Sequence, residues 1–130
     1  GAEIHNFIKK GPRVRYIQTG TIALATLKTG SHGNISTPQW IGTSYVASTV
    51  PAVATDVLLS VYTTGATVML APNNSYGDES NSTNPPYMMI KTGGPTESHL
   101  VEIPNEDGNL YSASNNTNLR IRVAGYIDSV

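Results

Sequence analysis

Glycine and proline interrupt this chain so often that only two stretches, 52–64 and 109–124, run for more than ten residues without one. The first is rich in Val and Thr, and the second carries Ser112-Ala113-Ser114-Asn115-Asn116-Thr117-Asn118 in its middle. β-Branched residues lose side-chain freedom in a helix, and Ser and Asn compete for backbone hydrogen bonds with their own side chains. Almost no helix is expected. What recurs instead is alternation. In 55–63, Val57, Leu59 and Val61 fall on one face, and Asp56, Leu58, Ser60 and Tyr62 on the other. In 119–127, Leu119, Ile121 and Val123 alternate with Arg120 and Arg122. A period of two means a strand with one buried and one wet face, as an antiparallel sheet permits. Weaker candidates are 4–9, 13–18, 21–27, 39–48, 66–71, 86–91 and 99–103. About nine strands in one domain, 1–130, predict an all-β fold, an antiparallel β-sandwich resembling a jelly roll.

Composition narrows the function. Eight basic against nine acidic residues give a formal net charge of −1, without the cationic surplus that nucleic acid or anionic lipid requires. The 58 Thr, Ser, Asn, Gly and Pro residues are turn and surface chemistry, while 38% hydrophobic residues argue against disorder. Cysteine is absent, so disulfides, thiolate metal sites and a thiol nucleophile are excluded. No apolar run approaches the ~18 residues of a membrane span, so no membrane insertion is expected, and the N-terminus lacks the layout of a signal peptide.

The breaks between strands are mostly short, among them Gly11-Pro12, Thr64-Gly65 and Glu106-Asp107-Gly108-Asn109, where glycine supplies the positive φ of tight turns. The stretch 72–86 differs. Fifteen residues without hydrophobic periodicity predict a long surface loop, and loops of that length are functional or mobile. Gly125, inside the last strand, points to a bulge or to the close approach of another backbone, which in a trimer is that of a neighbouring subunit; the alternative is a monomeric bulge with Tyr126 simply packed.

The run Thr49-Val50-Pro51-Ala52-Val53-Ala54-Thr55-Asp56, the later Val101-Glu102-Ile103-Pro104 with Leu110-Tyr111, and the closing Leu119-Arg120-Ile121-Arg122-Val123-Ala124-Gly125-Tyr126-Ile127 resemble the C-terminal tip domains of bacteriophage tail fibres. The resemblance spans about residues 40–128. It implies a homotrimeric β-sandwich head on the virion, outside the cell, that docks on a host-surface polysaccharide or outer-membrane protein. No catalytic residue comes with it.

The residues themselves show no catalytic motif. His5, His32 and His99 and the nine carboxylates fall into no hydrolase or metal-binding spacing. No enzyme activity and no cofactor are expected. Asp78-Glu79 and Glu106-Asp107 read as solvated loop charge rather than as an acid and base pair. Oxygen-bearing Asn73, Asn74, Ser75, Asp78 and Glu79 leave calcium open beside the plainer reading of a soluble loop.

Sugar recognition uses a flat ring and a few amide or carboxylate groups in a wet site. On that basis the candidate ligand-binding residues are Tyr76, expected as an exposed ring in the long loop, with Asp78, Tyr111 and Asn115. The contact surface is then 72–86, 106–109 and 112–118. Trp40 reads as core. Arg13, Arg15, Arg120 and Arg122 read as the wet face of edge strands or as interface partners, with anion binding as the alternative. Three readings stay open: a receptor-binding fibre tip, a carbohydrate-binding module or lectin domain of a secreted bacterial protein, and a purely structural virion trimerisation or decoration domain.

Overall fold

The computed structural model describes residues 6–17, 23–37, 39–46, 50–91, 94 and 96–128. Parts of four expected strands, at 4–5, 18, 21–22 and 47–48, lie outside the described residues.

Among the described residues, ten strands form two antiparallel sheets: β1 (Asn6–Lys10), β2 (Arg13–Ile17), β3 (Ala25–Thr29), β4 (Ile41–Ser44), β5 (Asp56–Thr63), β6 (Thr67–Ala71), β7 (Met88–Lys91), β8 (Glu97–Pro104), β9 (Asn109–Ser114) and β10 (Arg120–Ile127). The described residues contain no helix. One sheet runs β1-β2-β10-β5-β8, with β3 also pairing β10, and the other runs β4-β9-β6-β7. Val57, Leu59, Val61, Ile121 and Val123 of the first sheet and Val68, Leu70, Ile90 and Leu110 of the second form one buried cluster. The sheets therefore pack face to face, in the manner of a β-sandwich.

The alternation expected in β5 and β10 is present, with Val57, Leu59, Val61, Ile121 and Val123 all at 0% exposure, except that Leu58, expected on the wet face of β5, is itself buried at 2%. Two expectations change. β10 is not an edge strand, because it pairs β5 on one side and β3 then β2 on the other. Its arginines therefore stand on the open face of a central strand. Residues 112–114, expected in a loop, belong to β9, which lies between β4 and β6 and is buried at Leu110, Ser112, Ala113 and Ser114. The polar side chains there are satisfied internally. Ser112 Oγ meets His32 Nε2 at 2.7 Å, and Ser114 Oγ donates to the Thr67 carbonyl oxygen at 2.9 Å.

Gly125 sits where the β5–β10 register shifts, and the backbone that approaches it belongs to β2 of the same chain. A Cβ there would overlap the Val14 carbonyl oxygen and stand 3.0 Å from the Arg15 Cα.

Outward from the second sheet, Met69 and its register partner Ala113 alternate with core residues, yet both are at 0% exposure. Loops cover this face. Gly33 lies against Ala113, where its absent Cβ would be 3.0 Å from the Ala113 Cβ. The long loop is fastened on either side of the same face, by Glu79 N to the Ile35 carbonyl and by a Glu79–Lys91 ion pair at 3.6 Å.

Candidate binding surface

The 72–86 loop is ordered by its own hydrogen bonds. Asn73, Asp78 and Asn81 each accept backbone N–H groups two residues on, forming successive Asx turns. Gly77 N donates to the Asn84 carbonyl at 2.8 Å, and Asn84 Nδ2 donates to the Ser75 carbonyl at 2.8 Å, closing the loop on itself. Only glycine fits at 77, since a Cβ would overlap Asn84 O and stand 2.5 Å from Asn81 Nδ2. Asn73 Nδ2 also reaches Glu106 Oε1 at 3.0 Å, joining this loop to the 105–108 turn.

These bonds decide where the expected residues stand. Tyr76 is half-buried rather than exposed, its ring edge-on to Tyr87 with centroids 6.1 Å apart. Trp40, read as core, is instead half-buried outside the inter-sheet cluster, and its indole Nε1 donates to the Tyr76 carbonyl at 2.9 Å. Tyr87 is the most open of the three, at 45% exposure. Asp78 Oδ1 accepts both the N–H and the hydroxyl of Ser80, at 2.9 and 2.8 Å. Of the oxygens that left calcium open, Asn73 Oδ1 and Asp78 Oδ1 hold the loop's own backbone and Glu79 pairs with Lys91, and no group of three His, Asp or Glu side chains among the described residues is placed to hold a metal.

Tyr111 points outward from β9, lies across Gly42 of β4, and donates its hydroxyl to Asp107 Oδ2 at 2.8 Å. That hydrogen bond holds its phenol above the ordinary range. Tyr76, Asp78 and Tyr111 therefore share the side of the second sheet that the loops cover. Asn115 does not join them. Its Oδ1 accepts the Thr67 N–H at 3.0 Å, at the far end of β6 and β9 from Ala71 and Asn109. Its neighbour Asn116 is 4% exposed and binds Thr63, Thr64 and the Asn118 N–H. The 115–118 turn is a structural clamp.

An open cleft of about 440 Å³ beside this clamp is lined by Ser31, His32, Asn34, Ile35, Ser114 and Asn115. His32 Nδ1 lies 2.9 Å from the Gly30 carbonyl and Nε2 2.7 Å from Ser112 Oγ, which has the outline of a hydroxyl and its base. The chemistry does not follow, because Ser112 is at 0% exposure and a sealed hydroxyl meets no substrate. Burial is also the main cause that lowers the His32 pKa, and it favours the neutral ring that accepts from Ser112.

A second open cleft, about 360 Å³, lies on the outward face of the first sheet between Tyr62, Thr64, Asn118, Arg120 and Arg122. The alternating arginines and the outward Tyr62 are each legible in the sequence, but on separate strands. The β5–β10 register places Tyr62 opposite Arg120 and Ser60 opposite Arg122, and only that pairing makes a site of them.

A comparison with models of known protein families finds no match, and a comparison with curated proteins finds no significant relative.

Proposed function

We propose that this domain is a non-catalytic receptor-binding module of a tail-fibre-like assembly, attaching by its loops to a polysaccharide or protein on a host cell surface. The observation that carries this reading is the 72–86 loop. Its fifteen residues are fixed by Asx turns, by the Gly77–Asn84 and Asn84–Ser75 bonds and by the Trp40 indole, while the Tyr76–Tyr87 pair is left partly open to solvent. A preordered loop loses little entropy on binding, and tyrosine rings offer broad contact with few rotatable bonds.

The module works as a homotrimer in this proposal. Phe7, 59% exposed, and Ile8 lie on β1, the outermost strand of the first sheet, and give a neighbouring copy apolar surface to cover. Three linked sites then raise avidity without new contacts.

Two measurements test this. Light scattering after size-exclusion chromatography gives three times 13.8 kDa for the trimer, whereas a monomer fits the alternative of a carbohydrate-binding module. Tyr76→Ala with Tyr87→Ala lowers attachment to host cells by roughly tenfold or more, as loss of an aromatic anchor does. Attachment at the parental level would refute the loop assignment.

A further inference from the structure

The cleft between β5 and β10 has no part in the loop surface and stands independently of the fibre reading. Its lining contains two arginines, one tyrosine, one asparagine and one threonine, and no carboxylate. Among the described residues Arg122 has no hydrogen-bonding or ion-pairing partner. Arg120 donates Nη1 to the Leu119 carbonyl at 2.9 Å, which orients the guanidinium and leaves its other N–H groups available. Asn118 Nδ2 reaches Thr64 Oγ1 at 3.3 Å, while no described residue bonds Asn118 Oδ1 or the Tyr62 hydroxyl. Glu102, outward on β8, is drawn away by Arg13 at 3.2 Å. In a chain of net charge −1, this is a local cationic site that no described carboxylate neutralises.

The arrangement selects a ligand chemistry. Outward side chains form two rows across three strands, Ser98–Tyr62–Arg120 and Leu100–Ser60–Arg122. Arg120 and Arg122 are two residues apart on one strand, so their Cα atoms are about 7 Å apart. That spread suits a rigid ring carrying an anionic group near one arginine and hydroxyls near the other. Tyr62 supplies a flat face for stacking, and Leu100, 63% exposed, an apolar shoulder beside it. Guanidinium forks match carboxylate geometry, and Asn118 Oδ1 and the Tyr62 hydroxyl complement sugar hydroxyls. Nucleic acid also stacks on tyrosine, but it draws its affinity from many phosphate contacts, which two arginines do not supply.

We propose that the outward face of β5 and β10 is a binding site for a carboxylate-bearing saccharide, with Arg122 on the acid, Tyr62 under the ring and Arg120 and Asn118 on hydroxyls.

The test is an NMR titration of the whole chain, following backbone amides and arginine side-chain N–H signals. The probe is a tetrasaccharide of alternating glucuronate and N-acetylglucosamine. The neutral N-acetylglucosamine tetramer, sodium sulfate and a short oligothymidylate serve as comparisons. The glucuronate probe shifts the signals of Tyr62, Arg120 and Arg122 before those of the 72–86 loop. Arg122→Gln and Tyr62→Ala each weaken it by about tenfold, Arg122→Lys recovers part of the loss, and added salt weakens it. A thermal melt of each variant within a few degrees of the parent separates lost binding from lost folding. The proposal is overturned if the neutral tetramer or sulfate binds these residues as tightly as the acidic sugar. It is also overturned if oligothymidylate binds tighter, if Arg122→Gln binds as the parent does, or if no shift appears up to ~10 mM.

Discussion

Replacing Gly125 by alanine tests how the β1–β2 hairpin is held to the sheet. The added methyl meets backbone on two sides, the Val14 carbonyl oxygen and the Arg15 Cα, and backbone cannot rotate away as a side-chain tip can. If β2 yields locally, the cost is that of overpacking, about 1–3 kcal/mol. If β2 lifts from β10, the register pairs Gly125–Arg15, Tyr126–Val14 and Ile127–Arg13 are lost together. Val14, 3% exposed, then gives up about 1.5–3 kcal/mol of burial, and each ladder hydrogen bond about 1 kcal/mol. The Tyr16–Tyr126 contact at 6.3 Å goes with them. Between these limits the expected loss is about 3 kcal/mol, or roughly 10 °C in Tm for a domain of this size. Gly11→Ala is the control, since Gly11 has φ 58° but nothing within 4 Å of the new methyl, so it carries only the left-handed strain of about 1–2 kcal/mol. Urea unfolding at 25 °C measures both, and hydrogen exchange locates the damage: Val14 and Arg15 amides exchange faster while the β5–β8 ladder stays protected. A Gly125→Ala loss no larger than that of Gly11→Ala would refute the argument, because the close backbone approach would then carry no energy.

Three further outcomes follow from buried or half-buried groups elsewhere. Asn116→Ala leaves the Thr63 hydroxyl, at 0% exposure, and the Asn118 N–H without their partner, and urea unfolding should show a loss of about 2–4 kcal/mol. Met69→Ala should lower stability by about 2–5 kcal/mol although Met69 points away from the inter-sheet core, and a loss below ~1 kcal/mol would mean that the loops do not seal that face. The His32 pKa lies below its ordinary 6.5, so between the folded value and 6.5 the unfolded chain binds more protons. Stability therefore falls as pH drops through 6.5 toward the folded value, and His32→Gln, compared by urea midpoints from neutral pH to about 5, should flatten that slope.

What was legible in the sequence was whatever neighbouring residues decide between themselves. The alternation of Val57, Leu59 and Val61 marks a strand and its buried face, because period two is a property of the backbone and needs no partner. Glycine at the 11–12 and 107–108 turns was legible for the same reason, with Gly11 at φ 58° and Gly108 at φ 80°. β9 was not. Ser-Ala-Ser reads as loop until His32 and Thr67, far away in sequence, take up the serine hydroxyls and make a central strand tolerable. Trp40 and Tyr76 both stand half-buried, where composition suggests one in the core and one exposed, because a loop fastened by Asx turns packs one tyrosine against another and turns its carbonyl toward the indole.

The two candidate binding surfaces divide along the same line. The long loop was recognisable from its missing periodicity, but its shape depends on contacts to Ile35, Lys91 and Glu106, which local composition does not encode. The arginines of β10 were recognisable as a pair facing one way. Whether that face was an edge, an interface or the floor of a cleft depended on which strand lay beside it, and the register that sets Tyr62 against Arg120 comes from packing the Val57–Leu59–Val61 face into the core. Sequence by itself determined most of the strands and turns and the core-facing side of β5 and β10. Tertiary structure decided which side chains meet, because sheet register is set by burial across the whole core and a shift of one residue would turn every outward group inward.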